Sequence, residues 1–452
     1  NGYRPDPSVR QQVGKRKHMP SKKLAIVGGG ASGLAAACVA SELSFTLDEA
    51  QRSEIILYEA TDKVGRPILR SGNGRCNFSN SHIDPNLYRN PEFVQSVLKN
   101  VSDKLSFYRA GDEGQGGNPV LDFFTFHGVT WREESDGRLY PQTNKSSTIL
   151  NPMLKMLDHN GVNIVTDCKI EQVDEPSDDS QHFTMRTSDG EFVRAHAIIY
   201  AVGGISAEGQ GIGFLPRRDT ECTLGPIKVQ ERSVKALDNI RIRCAVSLLS
   251  KDGEEIAKEQ GEVIFRKYGV SGIAIFNLSR QMEPGCSLRI DAMYEHSLDD
   301  VIVLLQRKAQ DLSLLLRRDP TNVEMLQGIV LDPVAKAMLQ HVDLDPDAPV
   351  GSTDADRITL LAKVLKDWRF ICSGIGDESI CQVMSGGYDI SAIDPTSMEC
   401  LGVPQLYVTG EALDVDAPCG GYNLHWAFAT GMLAGLSAME KLAGRNLSTL
   451  RA

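Results

Sequence analysis

The turn between Val27 and Leu34 restricts this chain more than any other stretch. Leu24, Ala25, Ile26 and Val27 form an apolar run that stops at Gly28-Gly29-Gly30, and Leu34 to Ala40 continue in small, helix-compatible residues. That order predicts a buried strand, a tight turn and a helix. Gly28, Gly30 and Gly33 stand at G-x-G-x-x-G spacing. The first glycine allows the turn, the second lets a diphosphate approach the backbone, and the third lets the helix pack on the strand. Amides of the first helical turn, at Ala31 and Ser32, then face an anion, and the Ser32 hydroxyl adds a donor.

A second apolar run, Glu54 to Tyr58, ends at Glu59-Ala60. An acid there accepts hydrogen bonds from an adenosine ribose, although its interval from Gly33 is slightly longer than usual. Together the two runs predict an α/β, Rossmann-like dinucleotide fold, against the alternative of a glycine turn beside a surface glutamate. The 452 residues leave room for two or three domains. A net charge of −11 argues against a phosphate-tracking surface, so nucleic acid is not an expected partner. No apolar run is long enough to cross a bilayer. Residues 1–20 lack a signal-peptide core and are expected to be a disordered extension. Ten cysteines show no C-x-x-C pair or zinc spacing, so no metal is expected. Free thiols in a reducing cytoplasm are the simplest reading.

Asp62 to Asn77 holds three glycines, three arginines (Arg66, Arg70, Arg75) and two asparagines, a composition that suits an anion-binding loop. Beyond it the sequence predicts a helix over Glu92–Phe107, a glycine-rich loop over Gly111–Gly117, a β-prone segment over Leu121–Trp131 and a helix over Asn151–His159. Strands follow at Val162–Val165, after Cys168-Lys169-Ile170, at His182–Thr187 and at Ala197–Val202, the last ending in Gly203-Gly204. From Arg217 to Ile290 short alternating runs predict a β-rich insert. Leu298–Arg318, Pro333–His341 and Asp356–Trp368 then read as amphipathic helices. Leu406–Thr409 returns as a strand ending in Gly410-Glu411, and Gly420-Gly421-Tyr422-Asn423 opens a long helix from Leu424 to Leu442. A second sequence of strand, acid, glycine pair and helix implies that both ends of the chain build one domain. The expected divisions are residues 21–205 and 371–452 for that domain, 206–296 for the β-rich insert and 297–370 for a helical subdomain.

Four blocks carry a resemblance to a known family: Ile26–Gly33; Gly65-Arg66 with Ser71–Asn77; Tyr268-Gly269-Val270-Ser271-Gly272; and Gly410–Asp416 through Gly420–Leu424. On these the chain resembles the BaiN-type NAD(P)/FAD-dependent oxidoreductases, also called aminoacetone-oxidase-like flavoproteins. The resemblance implies a discontinuous FAD-binding domain with an inserted β-rich domain and a helical subdomain. It implies that Glu59, beside Ala60, holds the adenosine ribose, and that Lys169-Ile170 meets adenine through backbone. Arg66 and the Gly74-Arg75-Cys76-Asn77 loop would lie near the flavin, Gly203-Gly204 on its flank and Gly410-Glu411 by the ribityl and diphosphate. Gly421, Tyr422, Asn423 and Leu424 would meet the flavin O2 edge, where a helix N-terminus stabilises the charge of a reduced ring. The chain departs from the family at Ile205–Asp219, which is short and irregular.

The implied chemistry is hydride transfer between FAD and a small organic substrate held between the FAD domain and the insert. It tilts towards reduction of an activated C=C bond in a steroid or bile-acid-like molecule, with NADH or NADPH as donor. Only one G-x-G-x-x-G unit is present, so no second nicotinamide domain is indicated. Arg266, Tyr268 and His425, together with Tyr422, are the candidate catalytic groups. Cys76 reads as a packed residue rather than a redox thiol, and Asp414 and Asp416 as ribityl or capping partners rather than metal ligands. An amine oxidase releasing peroxide and a flavin-binding scaffold or RNA-associated factor are the alternatives.

Overall fold

Strand β1 (Lys23–Val27) runs into helix α1 (Ala31–Phe45), and β2 (Glu54–Tyr58) lies parallel beside β1. The computed structural model describes residues 22–109, 118–176, 182–204, 211–351 and 353–448. The expected extension, the Gly111–Gly117 loop and residues 205–210 of the irregular segment lie outside these. Helix α2 (Arg66–Gly74) takes the place of the expected loop. Gly65 is left-handed and Pro67 sits in the first turn, which starts a helix, while Gly72 and Asn73 at positive φ break it.

Strand β3 (Ser79–Asn80) is followed by α3 (Pro91–Lys104), whose end relaxes into a short 3₁₀ turn at Ser106–Tyr108. The segment expected to be β-prone is mostly α4 (Pro119–Phe126). Asn118 caps it, its Oδ1 accepting from the Leu121 amide at 3.1 Å, and Pro119 suits the first turn. Val120, Phe123 and Phe124 share a buried helical face, so start signals and burial override aromatic β-propensity. Strand β5 (Arg138–Pro141) pairs with β3 on one side and with β4 (Trp131–Glu133) on the other, and α5 (Ser147–His159) leads to β6 (Asn163–Val165).

A three-stranded antiparallel sheet, β7 (Ile170–Val173), β8 (Phe183–Thr187) and β9 (Phe192–Ala195), carries the chain back to β10 (Ala197–Tyr200). β10 pairs with β1 on the side away from β2. The chain then leaves through β11 (Arg217–Thr223) and forms β12 (Ile227–Val229), β13 (Arg241–Leu249), β14 (Glu255–Arg266), β15 (Gly269–Ser271), α6 (Ile273–Ser279) and β16 (Ser287–Asp291). Helices α7 (Leu298–Leu316), α8 (Asn322–Leu326), α9 (Asp332–His341) and α10 (Ala355–Lys366) follow.

Trp368, expected to end a helix, instead opens β17 (Trp368–Ile375), because α10 stops at Lys366. β17 fits between β12 and β16 and closes a six-stranded barrel, so the barrel draws on residues from both sides of the helices. Trp368, Phe370 and Phe265 stack inside it, with ring centroids 4.7 and 5.5 Å from Trp368. Val301, Leu305, Met338 and Leu361 from the helices join the same buried cluster. Barrel and helices therefore share one core.

Strand β18 (Val383–Tyr388) pairs with β11, and β19 (Leu406–Val408) completes a parallel five-stranded sheet in the order β19-β10-β1-β2-β6. Helix α11 (Tyr422–Ala443) then crosses α1. A Cβ on Gly431 would stand 2.1 Å from the Ser32 carbonyl oxygen, and one on Gly435 2.5 Å from that of Ala36. The helices touch backbone to backbone, which fuses the two ends of the chain into one domain.

Candidate functional site

The three motif glycines occupy three different environments. Gly28 has φ +105°, and a Cβ there would lie 2.3 Å from the Ala201 carbonyl oxygen. A Cβ on Gly33 would lie 1.9 Å from the Gly28 oxygen, whereas one on Gly30 would meet only Pro67 Cγ at 3.9 Å. Two glycines are thus required by the fold, and the third leaves space over the helix start. Helix α1 has no side-chain cap and no acid in its first turn, and its first internal hydrogen bond is Leu34 N–H to the Gly30 oxygen at 3.0 Å. The amides of Ala31, Ser32 and Gly33 precede that bond and present an anion site. The Ser32 hydroxyl, expected to join them, donates instead to Thr409 Oγ1 at 2.7 Å.

Glu59 closes the floor of this turn. Its carboxylate accepts from the Gly29 and Thr61 amides, both at 2.8 Å, and from the Thr61 hydroxyl at 2.7 Å, while Ala60 beside it is exposed. Lys169 lies just before β7, its carbonyl accepting from the Ser188 amide at 2.9 Å, and Ile170 is buried opposite Thr187. Two of the three expected cationic forks are neutralised locally. Arg66 pairs with Asp62, and Arg75 pairs with Glu134, donates to Asn144 Oδ1 at 2.6 Å and stacks 4.0 Å above the Tyr140 ring. Gly74 turns at φ +80°. Cys76 is fully buried, and burial pushes its thiol up to about 12, the state of a packed, unreactive residue.

Asn77 Oδ1 is buried without a hydrogen-bond partner among the described residues. It faces the start of α11, because a Cβ on Gly421 would come within 2.8 Å of it and 2.1 Å of the Ser79 oxygen. Like α1, α11 has neither a side-chain cap nor an acid in its first turn, so the Tyr422, Asn423 and Leu424 amides lie ahead of its first internal bond. The Asn423 side chain is occupied elsewhere, bridging the Ala417 amide (2.9 Å) and carbonyl (2.7 Å). Gly203 and Gly204 lie against Glu411, whose carboxylate accepts from the Met384 amide at 2.7 Å and whose burial raises its pKa. Gly410 is held by Thr430 and Trp426.

Asp414 and Asp416, expected to face ribityl hydroxyls or to cap a helix, are buried and turned to arginines. Asp416 binds Arg89 at 2.6 Å and Arg280 at 2.8 Å, and Asp414 lies 3.3 Å from Arg218 and 3.5 Å from Arg89. Arg280 follows α6 in the barrel unit, so this cluster ties the two units together. Sequence reading missed it because its members are far apart in the chain.

The catalytic candidates occupy two separate neighbourhoods. Arg266 and Tyr268 flank the β14–β15 turn, where Arg266 bonds Asn239 and the Tyr268 ring covers Gly376. His425 is buried within α11 with Nδ1 2.9 Å from Ser79 Oγ, and burial pushes its pKa down to about 3. It is a neutral link between α11 and β3, not an acid poised to protonate a substrate. Asn277, absent from the sequence candidates, joins the units at the mouth of the site, its Oδ1 accepting from the Cys419 amide at 2.9 Å.

An open glycine, two uncapped helix starts from opposite ends of the chain and an unsatisfied acceptor between them fit a dinucleotide carrying a hydrogen-bonding ring system. Gly30 and the α1 amides would hold its diphosphate, Glu59 its ribose, and the α11 amides with Asn77 its ring. These features define a flavin-dependent oxidoreductase with a discontinuous FAD domain. The chain belongs to the HI0933-like protein family, whose Rossmann-domain profile matches residues 22–437. It is 28% identical to 3-dehydro-bile acid delta(4,6)-reductase of Clostridium scindens over 93% of this chain and 99% of that one. It is 26% identical to the ribosomal RNA dihydrouridine synthase of Haemophilus influenzae over 91% and 97%. Among solved structures, a flavocytochrome c3 fumarate reductase covers 94% of this chain and 79% of its own at 13% identity and a TM-score of 0.42, too loose to carry an argument.

Proposed function

We propose that the protein reduces a carbon–carbon double bond conjugated to a carbonyl in a small ring-shaped molecule of the steroid or bile-acid class, drawing electrons from NADH or NADPH. The observation that carries this reading is the α11 start, whose free amides open towards the barrel unit across Asn277 and Cys419. A flat substrate would lie there, beside the ring site. Bound FAD supplies the hydride. The α11 amides favour negative charge at the ring edge, and Arg138 on β5, paired with Asp136 at 3.1 Å, supplies a cation near Cys419 and Tyr422 for a carbonyl oxygen. The bile-acid reductase relative supports this chemistry.

The ribosomal RNA relative favours a second reading, in which the same saturation is applied to a pyrimidine ring in RNA. The ion pairing of Arg75, Arg89, Arg138, Arg218 and Arg280 and the net charge of −11 support the small-molecule reading over a phosphate-tracking one. Anaerobic reduction of the purified holoprotein with NADH or NADPH, then addition of a Δ4-3-ketosteroid, cyclohexenone, a ribosomal RNA transcript or an amine with oxygen, tests it. The expected result is reoxidation by the ketosteroid with product two hydrogens heavier. Reoxidation by the transcript alone, or peroxide release with the amine, would overturn it.

A further inference from the structure

Strand β14 points one row of side chains inward: Ala257, Glu259, Gly261, Val263 and Phe265. In the ladder with β13 the first four stand opposite Leu248, Val246, Cys244 and Ile242, all in the barrel core, while Lys258, Gln260 and Glu262 face out. Alternation is the normal grammar of a barrel strand, and a carboxylate in the inward row breaks it. Glu259 is the row's one ionisable group. It sits at the mouth, where α6 covers the barrel, and Asn277 Nδ2 donates to its Oε1 at 3.2 Å. The same Asn277 accepts from the Cys419 amide, two residues before Gly421 opens α11. Glu259 thus lies two hydrogen bonds from the uncapped helix start of the ring site.

We infer that Glu259 is the proton donor of the reaction, delivering to the carbon beside the substrate carbonyl; this rests on the reductase reading above. Saturation of the double bond needs one hydride, which the bound cofactor supplies, and one proton. The Glu259 Oε–H bond breaks as a C–H bond forms at the substrate carbon, and the carboxylate left behind regains a proton from water. The two electrons come from the nicotinamide donor. Burial raises the Glu259 carboxyl above its ordinary range, which favours the protonated form the step requires, while the Asn277 bond and Arg138 act the other way. The charged and titratable groups around it are Arg138 and Asp136 from the nucleotide domain, the Cys419 thiol, and Arg280, itself paired with Asp416. Leu224, Phe276 and Val383, with Cys419 against them, form an apolar patch at the same junction and keep the local dielectric low. The candidates first read from sequence do not compete: Arg266 is held by Asn239, Tyr268 packs at the hairpin turn, and His425 is sealed against Ser79.

The test compares wild type, Glu259→Gln and Glu259→Asp as holoproteins. Glu259→Gln should keep its flavin, its thermal melt and its rate of flavin reduction by the nicotinamide, yet lose roughly 100-fold or more in turnover with the conjugated ketone. Wild-type turnover should fall as pH rises through the carboxyl pKa; Glu259→Gln should lack that limb, and Glu259→Asp should restore it in part. Independently of turnover, infrared difference spectra should show a protonated-carboxyl band that disappears on raising the pH and is absent from Glu259→Gln. Unchanged turnover and pH profile in Glu259→Gln, or a carboxyl band surviving in it, would overturn the assignment alone. A wild-type protein whose flavin is reduced but which saturates no conjugated ketone would instead sink the reductase reading, and the proton-donor role with it.

Discussion

Replacing Gly30 with alanine adds a methyl group whose nearest neighbour is Pro67 Cγ at 3.9 Å, at a position of ordinary negative φ. The apoprotein should keep its melting temperature while FAD affinity falls about tenfold or more, a loss of ~1.4 kcal/mol, read by flavin fluorescence titration. Gly28→Ala should do the reverse damage, costing ~2–4 kcal/mol of folding stability through its positive φ and the Ala201 oxygen at 2.3 Å. His425 makes a second expectation at this scale. Its folded pKa, about 3, lies below the ~6.5 of an unfolded histidine, so the unfolded chain binds the extra proton first. Stability is fully present above pH ~6.5 and drains as pH falls towards 3, by ~2 kcal/mol at pH 5. Urea midpoints at pH 7 and 5 should therefore diverge more in wild type than in His425→Gln. The glycine roles were legible in sequence because spacing along the backbone dictates them. The hydroxyl of Ser32 and the carboxylates of Asp414 and Asp416 were not, because their partners, Thr409, Arg89 and Arg280, arrive only through tertiary contact.

At the scale of elements, the crossing of α1 and α11 depends on glycine at the point of contact. Gly431→Ala places its Cβ 2.1 Å from the Ser32 oxygen, so the helices must separate. A drop of ~3 kcal/mol in denaturant-derived stability is expected, together with weaker FAD retention, since Ser32 lies in the first turn of α1. The strand-glycine-helix order at both chain ends foretold this shared domain. Besides α2, two elements show how an apolar pattern misleads. Leu121–Trp131 carries aromatic residues that suit a strand, yet Asn118-Pro119 starts a helix whose buried face takes them. Trp368 extends the apolar pattern of α10, but the barrel needs it as the first residue of its closing strand. Periodicity reports a local repeat and is silent about which edge a strand will fill.

Two large buried clusters organise the described residues, one around the parallel sheet and one shared by barrel and helices. They are joined by the β11–β18 pair and by the grip of Arg280 on Asp416. Calorimetry should resolve two unfolding steps. Added FAD should raise only the step belonging to the nucleotide domain, by ~2.7 kcal/mol at 100 times the dissociation constant. Arg280→Met should widen the gap between the steps by removing the tie. A single step that moves as one with FAD would show instead that the units unfold together.

The barrel's last strand, β17, lies some 140 residues after its neighbour β12, and the parallel sheet waits longer still for β19 and α11. During synthesis, then, the barrel lacks its closing strand until β17 leaves the ribosome, and the parallel sheet lacks its own until β19 and α11 follow. A nascent polypeptide halted near residue 360 would expose the open seams of both, a substrate for chaperones and proteases rather than half of a working enzyme.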